Sequence, residues 1–306
     1  MADYPVIAPM FTNLLVRKLV EEAKTKPELE HAIKGTLLRH SDAGGCARKI
    51  GLKVAGYPPS DPIDGAGLWV MWLGSMIGEK LAEEACRVYG EGCKAEYEIG
   101  WHDLSASGHL DLLVDIPWTS DYAETEVPDG PHRHPDFWRI CVEYKTMGGS
   151  GFDKSVGLNR KGYKLADKGP EGPRASAKIQ GALNALAVDA DELRIGHISL
   201  EAVSKQLAAK INWGDEDRIL AEWSYSREEF EPWALAEKER MAWLLNIVEE
   251  GHLPDRWAID DQMEHLHLNP QDARPPWQCD YCSYRQLCEY AGFGEPTLPL
   301  EGVPVP

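Results

Sequence analysis

A chain of 306 residues with 43% hydrophobic and 27% charged side chains can bury a real core, and a mean hydropathy of −0.39 argues against a membrane protein. The length predicts about two domains, or one large domain with an annex. A formal net charge of −18 argues against gripping nucleic acid over a long path, which calls for a basic field.

The first residues, MADYPVIAPMFTNLLVRKLVEEAK, lack a basic region followed by an apolar core and a small-residue cleavage site. No apolar run approaches the ~18 residues of a spanning helix. A cytoplasmic setting is expected, where clustered cysteines serve as metal or cluster ligands more often than as disulfides. Residues 12–40 read as helices interrupted by a Pro-containing break. Ser41 or Asp42 can cap a helix that carries Cys46 near its start, and the Pro/Gly-rich GYPPSDPIDGAG ends it. A second helix covers LWVMWLGSMIGEKLAEEACRVYG, with Leu68, Met71, Trp72, Ile77, Leu81 and Ala85 on apolar faces.

From Lys94 the period becomes two. KAEYEIGWHDL and SASGHLDLLVDI predict neighbouring strands and WRICVEYKTM a third, with the acidic, Pro-rich 117–136 as a loop or extended hairpin between the last two. The Gly/Lys-rich stretch from Gly148 to Pro173 reads as mobile. A helix follows from about Ala175 to Val188, then a strand in ELRIGHISLEA and another spanning KINWG to ILAEWSY. Ser226 and Glu229 form a capping box that opens one long amphipathic helix closing on Gly251. This order predicts an α/β chain with a mixed sheet flanked by helices.

Two short pieces carry chemistry: GHLDLLVD around Asp111, and VEYKT with Glu143 and Lys145. In a strand Glu143 and Lys145 share a face while Tyr144 points away. If Asp111 on the adjacent strand reaches that face, two carboxylates and an ammonium meet at one end of the sheet. Hard oxygen donors of this kind hold Mg²⁺ or Mn²⁺ for phosphodiester hydrolysis. Charged residues alternate on the solvent face of many strands, so the trio alone is a weak signal. Its context is an apolar strand, Ile140 to Val142, that ends in charge and then a glycine turn. Between Glu143 and Gln180 eight basic residues oppose four acidic ones, a local excess in an otherwise acidic chain.

The arrangement resembles the PD-(D/E)XK nucleases, and within them the RecB-like exonuclease branch that includes AddB and the CRISPR-associated exonucleases. Gly108 to Asp111 fit its G-x-x-D strand, and Glu143, Tyr144 and Lys145 its (D/E)-x-K strand. Gln180 fits the start of Q-x-x-x-Y, but Asn184 stands where that pattern has tyrosine. The branch also uses a helical histidine after a glycine; Gly74 matches, Gly78 occupies the histidine position, and Glu79 could replace it or the site could lack that ligand, while His109, on the strand face of Asp111, could approach the metal or the scissile phosphate of DNA. The resemblance implies a restriction-endonuclease-like fold and a metal-dependent DNA exonuclease or end-processing nuclease. Asp111, Glu143 and the Tyr144 carbonyl would hold the metal, Lys145 would serve the attacking water, and Gln180 would assist. Lys154, Arg160, Lys161 and Lys164 would lie along the DNA, with Tyr163 and Tyr144 stacking on unpaired bases.

Near the C-terminus QCDYCSYRQLC spaces Cys279, Cys282 and Cys288 as C-x2-C-x5-C. Members of this branch with a [4Fe–4S] cluster place one cysteine far upstream and three after the core, so the resemblance implies Cys46 as the fourth ligand. Spacing alone suits zinc equally. Cys86, Cys93 and Cys141 read as ordinary cysteines. Three segments follow: 1–67, helical with the first cluster cysteine; 68–252, the nuclease core; and 253–306, the remaining cluster cysteines and tail. No Walker A sequence is present, so a helicase or recombination partner would be a separate chain. A compact nuclease without a helicase suits a phage or mobile element. The rival reading is a non-catalytic DNA-end-binding or recombination-partner protein with a structural metal cluster.

Overall fold

The computed structural model describes residues 38–61, 65–118, 134–159, 164–166, 169–255, 279, 282–292 and 295–300. The expected helices before residue 38 and most of the acidic 117–136 stretch lie outside these. The six-stranded mixed sheet contains β1 (Leu38–Arg39), β2 (Cys93–Trp101), β3 (Ala106–Pro117), β4 (Phe137–Met147), β7 (Glu192–Ser199) and β8 (Leu220–Ser226). Its order is β1, β3, β4, β7, β8, with β2 antiparallel to β3 along the other side. β4 and β7 run parallel, while β3 with β4 and β7 with β8 run antiparallel. The expected strands are therefore present in one mixed sheet.

Helix α2 (Gly65–Tyr89) covers one face. There Ala82 meets Leu112, Val114, Ile116, Trp138, Ile140 and Val142. On the other face lie α4 (Ala175–Ala187) and α6 (Arg227–Glu249), which share a core with Leu113, Cys141, Leu193 and Ile195. Being sandwiched, β4 is apolar on both sides from Ile140 to Val142, after Arg139, which pairs with Asp115. Trp138 and Phe230 are almost wholly buried, each contributing about 2–3 kcal/mol of apolar transfer. Helix α4 can approach closely because Gly181 has no side chain: a Cβ there would stand 2.9 Å from Leu193 Cδ1 and 3.5 Å from Glu143 Cβ. The Ser226–Glu229 capping box is formed as expected, and α6 stops just before Gly251.

Three expectations are corrected. Neither Ser41 nor Asp42 caps the helix that follows Cys46: both lie in a separate 3-10 turn (His40–Asp42), and Cys46 itself takes the N-cap position. The Gly148–Pro173 stretch holds a helix, α3 (Gly149–Val156), and a short hairpin of β5 (Leu158–Asn159) and β6 (Lys164–Leu165). Gly157, at φ +69°, ends α3 in the left-handed conformation that glycine tolerates, and Phe152 anchors the helix in a core with Met147 and Leu207. KINWG is not the start of a strand. Ser204 caps a helix, α5 (Lys205–Ile211), by accepting from the Leu207 N–H, and Asn212 ends it at φ +59°.

The two ends of the described chain meet. Helix α1 (Ala47–Val54) follows Cys46, its N-cap residue; its Leu52 and, just beyond its end, Tyr57 share a core with Leu253, Tyr284, Leu287 and Leu300. Helix α7 (Arg285–Ala291) is tied to the loop after α1: the Gln286 amides donate to Asp61 and the Leu287 N–H to Ser60 Oγ. The loop before Cys46 is held from α6, where Glu237 accepts from the Gly44 N–H and Arg240 donates to the Gly45 carbonyl. Among the described residues no helix is long and apolar enough to cross a membrane.

Candidate active site

The site is a fork in the sheet. Strand β3 pairs with β4 from Pro117 back to Leu112, and with β1 only at Ala106 and Ser107. Asp111 falls between these two pairings, while β4 continues through Glu143 and Lys145 beside β7 alone. Leu110 and Leu113 join one core cluster although regular alternation would part them. The irregularity lies at Asp111 and, across in β2, at Glu96, whose φ is +46°.

At the fork the Asp111 carboxylate replaces a ladder partner. Its Oδ2 accepts from the Tyr144 N–H at 2.6 Å, leaving Oδ1 for another contact. Glu143 is fully buried; its Oε1 lies 2.5 Å from Lys145 Nζ without an aligned hydrogen bond, and its Oε2 accepts from Asn184 Nδ2 at 3.0 Å. Lys145 also donates to Gln180 Oε1 at 3.1 Å. These two rungs fit because two strand residues advance about 6.6 Å and four helix residues about 6.0 Å. Gln180 and Asn184, four apart on α4, therefore meet Lys145 and Glu143, two apart on β4.

Burial, reinforced by the nearby Asp111 charge, pushes Glu143 up to about 7 against the pull of Lys145. Burial likewise raises Asp111, opposed by Lys145 and the Tyr144 N–H. For Lys145 burial acts downward, but Glu143 and Asp111 outweigh it and the ammonium is held more firmly than usual. A raised carboxylate pKa has a sign. Between about pH 4.5 and 7 the folded metal-free protein retains a proton on Glu143 that the unfolded chain has released, so folding stability falls as pH rises through that window. The expected loss is on the order of 3 kcal/mol. Chemical denaturation across pH 4–8 checks it, and Glu143→Gln should flatten the slope.

The structure thus brings together Asp111, Glu143, Tyr144, Lys145 and Gln180. Glu79 is exposed on α2; its charge reaches Glu96, which burial, Asp111 and Glu79 together push upward. No described hydrogen bond or ion pair joins Glu79 to Asp111 or Glu143. His109 is exposed and stands opposite Glu98 on β2. Lys154 is exposed on α3; Arg160, Lys161 and Tyr163 lie outside the described residues, as does the Lys164 side chain.

Sequence reasoning missed three residues. His40, just after β1, places Nδ1 2.7 Å from Asn184 Oδ1. His197 pairs in register with Lys145, is fully buried, has neither ring nitrogen hydrogen-bonded among the described residues, and packs edge-on against Trp223. Burial, with Arg174 and Lys145 nearby, lowers it to about 4, so it is neutral. Arg174, exposed at the start of α4, adds positive charge beside Lys145. Arg174 was visible only as one of the basic residues between Glu143 and Gln180, and Asn184, which links His40 to Glu143, only as a polar residue in the apolar run of α4.

Among the described residues no three His, Cys, Asp or Glu side chains are grouped to hold a metal ion. Asp111 Oδ1, the unaligned Glu143 Oε1 and the Tyr144 carbonyl nonetheless fit a hard cation that takes its other ligands from water and substrate. Where the chain ends join, Cys46 and Cys282 are close enough for one thiolate to disfavour the other. Burial is the larger cause raising Cys282, opposed by the Tyr284 N–H, 3.5 Å from its sulfur. Cys282 and Cys288 both border the core that joins the chain ends, and the Cys282 N–H bonds the Cys279 carbonyl.

No family model matches the chain, and no curated protein matches it significantly. Among solved structures it is similar to that described as the crystal structure of SSO0001, at 18% identity and a TM-score of 0.40, over 91% of this chain and 96% of that one. A likeness this distant decides nothing about chemistry.

Proposed function

We propose that the protein is a metal-dependent deoxyribonuclease with a restriction-endonuclease-like core of the RecB-like type, acting on DNA ends. The observation that carries this reading is the convergence at the fork of two carboxylates whose pKa values are raised and a lysine held between Glu143 and Gln180. Buried like charges at such a fork in the sheet cost stability and persist where a cation or reaction uses them.

Asp111, Glu143 and the Tyr144 carbonyl would hold Mg²⁺ or Mn²⁺, which supplies an acidified water and offsets charge on the phosphoryl oxygens. Lys145 orients that water and neutralises the phosphate, and Gln180 fixes the ammonium on the reacting side. The Tyr144 N–H keeps Asp111 turned into the fork. Arg174 and Lys154, with Arg160, Lys161 and Lys164, would guide the DNA backbone, while the acidic remainder confines it to this path. Cys46, Cys279, Cys282 and Cys288 would hold a [4Fe–4S] cluster, or zinc, that closes the chain ends without entering the reaction. The cytoplasm of the host, for a phage-encoded protein, keeps such thiols reduced, and a helicase or recombination protein would act as a separate partner.

The test is wild-type cleavage of single- and double-stranded DNA labelled at either end, with Mn²⁺, Mg²⁺ or EDTA. Metal-dependent shortening from one end supports the reading. Intact DNA in all three conditions removes it, and end binding without cleavage transfers the protein to the non-catalytic class.

A further inference from the structure

A continuous buried chain of hydrogen bonds reaches the site from behind: His40 Nδ1 to Asn184 Oδ1 at 2.7 Å, then Asn184 Nδ2 to Glu143 Oε2 at 3.0 Å. His40 is 1% exposed, and Asn184 and Glu143 are fully buried, so water does not substitute for any member. Gly108 makes room for it: a Cβ there would lie 2.8 Å from His40 Cβ.

The direction of the chain follows from charge. A Glu143 that binds a cation is ionised and accepts only, so the Asn184 amide must turn its N–H₂ toward Oε2 and its oxygen toward His40. His40 must then carry its proton on Nδ1. Without that donor the amide oxygen would be buried unpaired and the amide would lose its preference between its two flipped orientations. The Asn184 bond occupies Oε2 and leaves Oε1 on the side of Lys145.

We infer that Asn184 and His40 are a positioning unit for Glu143: together they dedicate one carboxylate oxygen to the protein and present the other to a divalent cation. The inference rests on the metal-dependent reading of the fork. Its consequence is that both residues act through one carboxylate, so their effects on metal affinity do not add.

The experiment is a Mn²⁺ titration of the full-length protein without DNA, by calorimetry, with thermal midpoints measured alongside. Asn184→Leu and His40→Leu are each expected to weaken Mn²⁺ binding about 10- to 100-fold, as outer-shell partners do. The double variant should be no weaker than the worse single. His40→Gln, which keeps a side-chain N–H donor, should stay within about 3-fold of wild type. It also serves as the second probe if a leucine variant fails to fold. Unchanged affinity in a folded leucine variant, multiplied losses in the double variant, a His40→Gln as weak as His40→Leu, or a wild type that takes up no Mn²⁺ would each overturn the inference. A wild type that binds Mn²⁺ with these dependences yet leaves DNA intact removes only the nuclease reading.

Discussion

Replacing Glu143 with glutamine is expected to abolish DNA cleavage while making the metal-free protein more stable at pH 8. Glutamine retains the size of the side chain and can still accept from Asn184 Nδ2, so the packing between β4 and α4 survives. What disappears is a fully buried negative charge that burial and Asp111 both oppose. Removing it costs the cation a ligand, and a loss of roughly 4 kcal/mol of transition-state stabilisation corresponds to about a 10³-fold lower rate. Opposite signs on activity and stability mark a residue kept for chemistry. Losses in both would instead make Glu143 a structural partner of Lys145. Rates of end-labelled DNA loss and denaturant midpoints, taken on the same preparation, read out the two effects.

The second large effect is expected at the join of the chain ends. Cys282→Ser should release the bound iron or zinc and lower the thermal midpoint by several degrees or more, since clusters of this kind contribute on the order of 10 kcal/mol to the folding of a small site. The apolar contacts of Leu52 and Tyr57 with Tyr284 and Leu287 remain in the variant, so the loss reports the ligand rather than the packing. Cys93→Ser is the control. Cys93 borders the α2 side of the sheet beside Cys86, away from this join, and its replacement should leave metal content unchanged. Metal analysis of both variants separates iron from zinc. A Cys282→Ser protein with wild-type metal content and midpoint would remove the cluster from the account.

The strands and long helices were legible because each has one strong period: two along SASGHLDLLVDI and WRICVEYKTM, and a capping box ahead of α6. Glu143 and Lys145 were legible for the same reason, since alternation places them on one face, whereas Asp111, where β3 breaks its alternation, stood out only through the likeness to a G-x-x-D strand. The stretch after Met147 was misread because its glycines suggested mobility, whereas Phe152 fixes a helical turn in the core. KINWG was misread because Ile211 and Trp213 mimic strand alternation, while Ser204, six residues before Lys210, already commits the backbone to a helix. Asn184 and His40 could not be read together. They are 144 positions apart, and only the docking of α4 against β4, which Gly181 permits, makes them neighbours. In the sequence Asn184 showed only as a departure from the tyrosine of the resembled pattern, yet in the fold its amide donates to the Glu143 carboxylate.

Lysine 145 is where the account is most exposed. Its ammonium contacts Glu143 and Gln180 and influences Asp111, yet its side chain is 35% exposed and carries little of the core. The decisive measurement compares the wild type with Lys145→Ala on end-labelled single- and double-stranded DNA in saturating Mn²⁺. The wild type is expected to degrade the DNA and the folded variant to be slower by about 10²- to 10⁴-fold. Equal rates for the two proteins would place the cleavage elsewhere and contradict the account.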